Sequence, residues 1–431
     1  MNYFARNYWL DTASMPSGTP GPLPPAADFA IIGAGFTGLA AARSLAKCGA
    51  RVVVMEAETI GWGASSRNGG MVLTGMKLSP EVLIKRYGLA TTQRIYAASL
   101  LSIDCVEHLI AEEKLNCDFS RCGHLEVASK QSHFDAYARG VDLLARDFHH
   151  QHLIIPKGDL KSEIGADIYY GGIVDTSSAG LNPARYVAGL AQAALRAGAS
   201  IHDRSRVQTI ERASSHGVIG FDLKTSSATL FAKHVLIATS GYSGNLSRPL
   251  LKRVIPIGSY IIATERLSDA LVAELIPRNR MVYDSLNFLH YWRRTADNRI
   301  LFGGRAAFFP ETANTIRKSE AILLRDLIAI HPQLKNTRVE YAWGGTLDFT
   351  FDVMPHAGEF DGVHYALGYA GHGVAMATYL GNIMGEKLAG GADANPFAGI
   401  PFPGAPLGLY NGQPWFLPFA GAYHKILDWI S

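Results

Sequence analysis

Residues 28–56 read DFAIIGAGFTGLAAARSLAKCGARVVVME, and this stretch decides the fold. DFAIIG is a short continuous apolar run, as expected of a parallel strand covered on both faces. The glycines Gly33, Gly35 and Gly38 then fall in the spacing GxGxxG, with Phe36 and Thr37 between the last two. FTGLAAARSLAKCG is an Ala/Leu-rich helix ending at Gly49, and RVVVME is a second strand ending on Glu56. In such a β-α-β unit the first glycine permits a tight turn. The second lets a pyrophosphate approach the backbone, and the third lets the helix lie close to the strand. The phosphates then meet the positive end of a helix dipole. Glu56 can accept hydrogen bonds from both ribose hydroxyls and would repel a 2′-phosphate. The expectation is a dinucleotide site.

The next stretch, GWGASSRNGGM (61–71), has almost nothing apolar to contribute to a core. A dehydrogenase built on NAD alone would continue soon with another helix and strand. Here Ala64, Ser65, Ser66, Arg67, Asn68, Gly69 and Gly70 place backbone and hydroxyl donors near the pyrophosphate instead. That suits a longer dinucleotide with a flavin under the loop.

With 431 residues the chain is too long for one hydrophobic core, and two interleaved domains are expected. A composition of 48% hydrophobic and 18% charged residues is that of a globular protein. The net charge of +3 and the lack of long basic runs do not point to nucleic acid as a partner. Four cysteines without a CxxC pair suggest reduced thiols and a cytoplasmic setting, and no metal is expected. Residues 362–385 carry six glycines, and residues 394–424 six prolines, so neither uncharged stretch is expected to span a membrane. The SMPSGTPGPLPPAA stretch (14–27) reads as an extended arm. Helical patterns fill residues 80–150 around one candidate strand, GHLEVAS. A helix and strand follow from NPARYVAGLAQAALRAGASI, then a strand and polar turn from HVLIATSGYS (234–243), which holds Thr239 and Gly241. Residues 315–331 form an amphipathic helix, and VHYALG leads into GYAGHGV and a last helix.

GAGFTG, Glu56 and GWGASSRNGG together resemble the FAD-dependent amino-acid and amine oxidases of the D-amino-acid oxidase, glycine oxidase and sarcosine oxidase superfamily. The resemblance extends through LNPARYVAGLA, HVLIATSGYS, RILFGG, WGGTLDFTFDVMP and GYAGHGV, about residues 28–390. Within it, the ASxRNGG loop and the WGG segment are most similar to bacterial γ-glutamylputrescine oxidase-like proteins. The resemblance implies an α/β fold. A Rossmann-type FAD-binding domain (28–79, 173–250 and 342–395) would interleave with an α+β substrate domain on a large mixed sheet (80–172 and 251–341). Residues 1–27 would be an arm and 396–431 a tail.

The resemblance also implies site residues. Gly371, His372, Gly373 and Val374 would lie beside the flavin pyrimidine, with the helix from Gly373 aimed at its carbonyl end. Val207 matches the position whose backbone meets the adenine. Some relatives attach FAD through histidine or cysteine, but the 61–71 loop has neither, so non-covalent FAD is expected. Substrate contacts are expected from the sheet: His290, Tyr260, Tyr291 and Arg305. In SLNFLHYWRRT, Leu289, Tyr291 and Arg293 alternate with Phe288, His290 and Trp292, and the sequence leaves open which set faces the ligand. Trp62 could wall the site. Sarcosine oxidases follow GHG with Phe-Lys, and the lysine holds the substrate carboxylate. Val374 and Ala375 stand there instead. The expected reaction is oxidation of an amine or N-substituted amino acid, with a γ-glutamyl polyamine fitting better than a small α-amino acid. Either oxygen or a quinone could take the electrons, and a flavin-binding sensor with little turnover is the alternative outside enzymology. In the tail, Phe419, Ala422, Tyr423, Ile426, Leu427 and Ile430 form one helical face, read as docking on the body, a subunit contact or peripheral membrane attachment.

Overall fold

The computed structural model describes residues 6–307, 312–417 and 419, with the side chains of residues 305–307 and 407 outside the description. The C-terminal amphipathic face read at Ala422–Ile430 lies outside the described residues.

The β-α-β unit forms as its residues require. Strand Ala26–Ile32, helix Phe36–Lys47 and strand Val52–Met55 follow one another, and the two strands pair in parallel from Phe29 against Val52 to Ile32 against Met55. Distant segments complete the parallel part of this sheet: Ser200–His202 beside Val52–Met55, and Thr229–Ile237 followed by Val363–Leu367 on the other side. Ala30, Ile31, Val54, Ile201 and Val235 have no measurable exposure, so both faces are covered. That is why these strands read as unbroken apolar runs rather than alternating ones.

A second sheet of eight strands is mixed. From one edge its order is Val339–Thr350, Val254–Thr264, Ile300–Ala307, Tyr291–Arg294, Met281–Asp284, His124–Val127, Gly171–Asp175 and Leu153–Pro156. Neighbours run antiparallel except Met281–Asp284 with His124–Val127. Helix Ala313–Ile330 covers one face through Ile316, Leu323 and Leu327, against Trp292, Phe302 and Tyr260.

The two sheets do not follow the sequence segments drawn above at every edge. Residues 173–175 and 342–350, grouped with the nucleotide-binding part, pair within the second sheet, because their partners are strands His124–Val127 and Val254–Thr264. Helix Leu89–Glu113, grouped with the substrate part, buries Ile95, Ile103 and Val106 in the same core as Phe36 and Leu380.

The arm is more than extended chain. Residues Tyr8–Asp11 form a helical turn capped by Asn7, with Tyr8 and Trp9 buried against Ile261, Leu301 and Trp343 of the second sheet. The four cysteines are free thiols. Among the described residues no helix is long and apolar enough to cross a membrane.

Candidate functional site

At the carboxyl end of the parallel strands lies a cleft of about 1440 Å3, counting its open mouth. This is where an open α/β sheet binds ligands. Gly33 turns the chain with φ of 107°, and a Cβ there would sit 2.8 Å from the Ala238 carbonyl oxygen. Helix Phe36–Lys47 then starts with no side-chain cap from Gly35. Ser65 Oγ accepts the Phe36 N–H at 3.0 Å, leaving the first-turn N–H groups of Thr37 and Gly38 without a helical partner. Gly38 lies against Gly33, where a Cβ would meet the carbonyl oxygen at 2.0 Å. Glu56 lines the cleft with its carboxylate fixed by two backbone donors, Ala34 N–H at 2.8 Å and Glu58 N–H at 3.0 Å. Two such bonds leave about two lone-pair directions open. Burial holds its pKa above the usual carboxylate range despite those donors.

The loop after Ile60 owes its shape to what holds it from behind. Successive carbonyls of Ser66, Arg67 and Asn68 accept from Asn7 Nδ2 (2.9 Å), Trp343 Nε1 (3.1 Å) and Trp9 Nε1 (2.8 Å). Asn68 ties the loop internally, donating to the Ala64 and Ser65 carbonyls and accepting from Gly70 N–H. Arg67 donates to the Trp62 and Gly344 carbonyls, and its guanidinium lies 4.8 Å from the Trp62 ring centroid. Trp62, Ala64, Ser65 and Asn68 line the cleft, with Val207 and Thr239. Ser66 is fully buried behind it. Gly241 packs against Leu347, where a Cβ would lie 3.0 Å from the carbonyl oxygen.

A second helix N-terminus opens on the same cleft. Gly371 has φ of 92°, His372 precedes helix Gly373–Leu388 without capping it, and Gly371, Gly373 and Val374 line the space. Burial pushes the His372 imidazole down to about 3, so it is neutral, and its Nδ1 is buried without a partner among the described residues. Asp348 accepts N–H groups from Gly368 (2.5 Å) and Tyr369 (3.2 Å), and burial raises it to about 6. Tyr369 Oη lies 2.6 Å from Thr37 Oγ1, which ties the two glycine turns together.

The sheet settles which way the alternating residues point. Tyr291 faces the loop, so close that a Cβ on Gly69 would lie 2.9 Å from its ring. Arg293 shares that face, and its Nη1 donates to the Gly70 and Leu181 carbonyls at 2.6 and 3.1 Å, so it supports the loop rather than reaching for an anion. His290 is turned away, with Nδ1 2.8 Å from Asp284 and Nε2 3.5 Å from Asp326 on the covering helix. Tyr260 lies in the core beneath that helix. Neither candidate contact meets the cleft, because the helix-facing side of the sheet is a closed core. Arg305 occupies strand Ile300–Ala307, and its side chain lies outside the described residues.

Residues not singled out from sequence complete the loop-facing side. In the register, Glu126 stands opposite Tyr283, which stands opposite Tyr291. Glu126 accepts from Tyr137 Oη at 3.0 Å and Tyr283 Oη at 3.3 Å, and burial raises its pKa. Lys77 is near enough for Glu126 and Asp284 to favour its charge and for its own charge to depress His372. Burial by surrounding protein lowers its pKa, although the residue keeps exposed surface. Among the described residues Lys77 makes no ion pair.

Comparison with known proteins agrees with this architecture. A family model described as DAO, FAD dependent oxidoreductase, matches residues 28–387. A probable oxidoreductase OrdL of Haemophilus influenzae is 32% identical over 90% of this chain and 88% of its own. A gamma-glutamylputrescine oxidoreductase of Escherichia coli is 31% identical over 93% of this chain and 92% of its own. The crystal structure of glycine oxidase from Geobacillus kaustophilus superposes with a TM-score of 0.72 at 23% identity, covering 88% of this chain and 99% of that one, a likeness of fold.

Proposed function

The chain belongs to the DAO family of FAD-dependent oxidoreductases, and from that membership we propose that it oxidises the C–N bond of an amine or N-substituted amino acid. The substrate class is a γ-glutamylated polyamine, and oxygen is the acceptor, reduced to hydrogen peroxide. The imine product is hydrolysed by water.

The observation that carries the reading is the convergence of two helix N-termini, Glu56 and the Ser65–Asn68 loop on one cleft. In this reading Gly33, Gly35 and the first turn from Phe36 hold the pyrophosphate, Glu56 holds the ribose, and Val207 lies at the adenine. Arg67, Asn68, Gly69 and Gly70 back the ring, and the helix from Gly373 offers its positive end to the ring's carbonyl edge. FAD, when bound, supplies the acceptor for the hydride leaving the carbon beside nitrogen. Among the described residues lining the cleft none is histidine or cysteine, which supports non-covalent attachment.

The substrate reading rests on Lys77 and Glu126. A γ-glutamyl polyamine carries an α-amino-acid head, both ammonium and carboxylate, far from the amine that is oxidised. Glu126 is a carboxylate fixed by two tyrosine hydroxyls, suited to the ammonium. Lys77, which makes no ion pair among the described residues, suits the carboxylate. The pair orients the chain so that the distal amine reaches the ring. Ala375, with no charge to offer, stands where a sarcosine-type enzyme would hold a small carboxylate with its lysine. The Escherichia coli relative named for γ-glutamylputrescine supports the same class.

The test is anaerobic mixing of the yellow holoprotein with γ-glutamyl polyamines, free polyamines, N-methyl amino acids and D-amino acids, following loss of flavin absorbance. Fastest bleaching by the γ-glutamylated amines is expected. Bleaching by none of them, or a protein that takes up no FAD, overturns the proposal. Comparing peroxide formed in air with reduction of an artificial dye tests the acceptor.

A further inference from the structure

At the far edge of the second sheet, the loop after helix Gln131–Phe148 brings His150 and His152 against Asp175, the last residue of strand Gly171–Asp175. Their ligand atoms all lie within 4.8 Å of one another. His150 Nε2 is 3.2 Å from Asp175 Oδ1, and His152 Nε2 is 3.8 Å from Asp175 Oδ2. Asp175 has no exposed surface, and the side chains of His150 and His152 are each 8% exposed. We propose that His150, His152 and Asp175 form a structural site for one divalent transition cation, zinc by preference, joining the end of that helix to the sheet.

The argument starts from His152. Both of its ring nitrogens are buried, and neither has a hydrogen-bond partner among the described residues. A proton would not resolve this, since 3.8 Å to Asp175 is too long for a hydrogen bond. It is the right separation for two atoms sharing one ion, each about 2.0–2.2 Å from it. His150 is already held as a ligand would be. Its Nδ1 lies 2.6 Å from Tyr96 Oη, a contact that fixes the ring and leaves Nε2 toward the carboxylate. Ser177 Oγ, 3.1 Å from the same Nε2, or a water would fill the remaining position. The carboxylate is oriented by Ser177 N–H, the Ser178 hydroxyl and Thr74 Oγ1. His124 approaches Asp175 to 3.8 Å, but both of its nitrogens are engaged, by Ser178 Oγ and Tyr283 Oη, so it walls the site without ligating. Two imidazoles and one carboxylate favour zinc or its transition-metal neighbours over magnesium or calcium, which take oxygen ligands. Sequence reading expects no metal, because the carboxylate comes from a strand distant along the chain from the His-x-His pair.

The experiment uses the full-length holoenzyme, stripped with a chelator, dialysed against a small excess of Zn2+ or Mg2+, and analysed for metal by mass spectrometry alongside its melting temperature. About one zinc per chain, with a raised melting temperature and no response to magnesium, is expected. His152→Ala removes a side chain that makes no hydrogen bond, so it should fold, keep its FAD and lose both the zinc and the shift. Asp175→Asn should do the same if it folds. Substoichiometric zinc in the wild type, or full zinc and an unchanged shift in His152→Ala, would overturn the site.

Discussion

Glu126 is a carboxylate whose burial raises its pKa, held by two tyrosine hydroxyls, with the charge of Lys77 near enough to act on it. Replacing it by glutamine keeps the shape and removes the charge. A hydrogen bond to a charged group contributes about 1.5–3 kcal/mol. Glu126→Gln should therefore raise KM for a substrate with an ammonium head roughly 10- to 100-fold, with little change in kcat, in steady-state assays. An equal fall in kcat would place Glu126 at the reacting atoms instead. Asp348 gives a pH prediction with the opposite sign from most carboxylates. Its folded pKa is raised by burial to about 6, above the roughly 3.9 of an unfolded aspartate. The native state thus holds the proton more tightly. Its contribution is fully present below about pH 4 and is lost as pH rises through 6, about 3 kcal/mol in all. Urea midpoints across this range should fall more steeply for wild type than for Asp348→Asn, and parallel slopes would refute the assignment. At this scale the sequence was legible where a residue sits in a pattern. Glu56 is identifiable because it ends the second strand of a glycine-turn unit. Glu126 and Lys77 belong to no local pattern, and only the pairing of strands distant in sequence brings Glu126 beside Tyr283. His290 shows the converse: the alternation in SLNFLHYWRRT is visible, but both sides of that strand are covered, one by a helix and one by a loop. Chain chemistry alone does not say which cover is the site.

Elements transmit the geometry of the cleft, and the contact between helices Phe36–Lys47 and Gly373–Leu388 is the strongest case. Both begin at the cleft, and they lie against each other through Gly381 and Gly385. A Cβ on Gly381 would sit 2.3 Å from the Thr37 carbonyl oxygen, and one on Gly385 2.8 Å from that of Ala41. These are backbone contacts that no rotamer change relieves. Gly381→Ala should push the helices apart at a cost of about 1–3 kcal/mol and shift Thr37 away from Tyr369. FAD affinity should fall about tenfold for each 1.4 kcal/mol that is specific to the bound state, measured by flavin fluorescence on dilution. Gly158→Ala, where a Cβ would meet nothing within 4 Å, is the control and should leave affinity unchanged. Unaltered affinity in Gly381→Ala would mean the helices can separate without disturbing their ends. The elements were mostly readable from sequence, because a buried parallel strand and an Ala-rich helix after a glycine turn each have a distinctive local composition. The boundaries between the two sheets were not. Strand Val339–Thr350 carries a family motif near the 61–71 loop yet pairs along its length with Val254–Thr264, and pairing is a property of two segments, not one.

For the molecule as a whole, the arm joins the two sheets across the 61–71 loop. Tyr8 donates to Asp297 at 2.6 Å, Trp9 packs on the second sheet and caps the Asn68 carbonyl, and Thr19 bonds Ile201 in the first sheet. The Pro/Gly/Ser-rich sequence hid this role, since its anchoring residues other than Thr19 precede the biased stretch and form only a single turn of helix. Trp9→Ala should cost about 3–5 kcal/mol of stability from lost packing, whereas Trp9→Phe keeps most of the ring and chiefly removes the N–H that fixes Asn68. If the arm acts mainly by holding the loop, Trp9→Phe should loosen FAD binding more than it lowers the melting temperature, and Trp9→Ala should do both. Removing residues 1–13 carries the argument furthest. The hydrogen-bonded strands of both sheets lie outside that segment, so far-UV circular dichroism should change little. The Ser66 and Asn68 carbonyls would lose their donors, and the truncated protein should purify depleted of flavin and regain it only at FAD concentrations well above those that saturate the full chain. Retention of FAD at wild-type stoichiometry and affinity would show that Trp343, Arg293 and the loop's own Asn68 suffice to hold it.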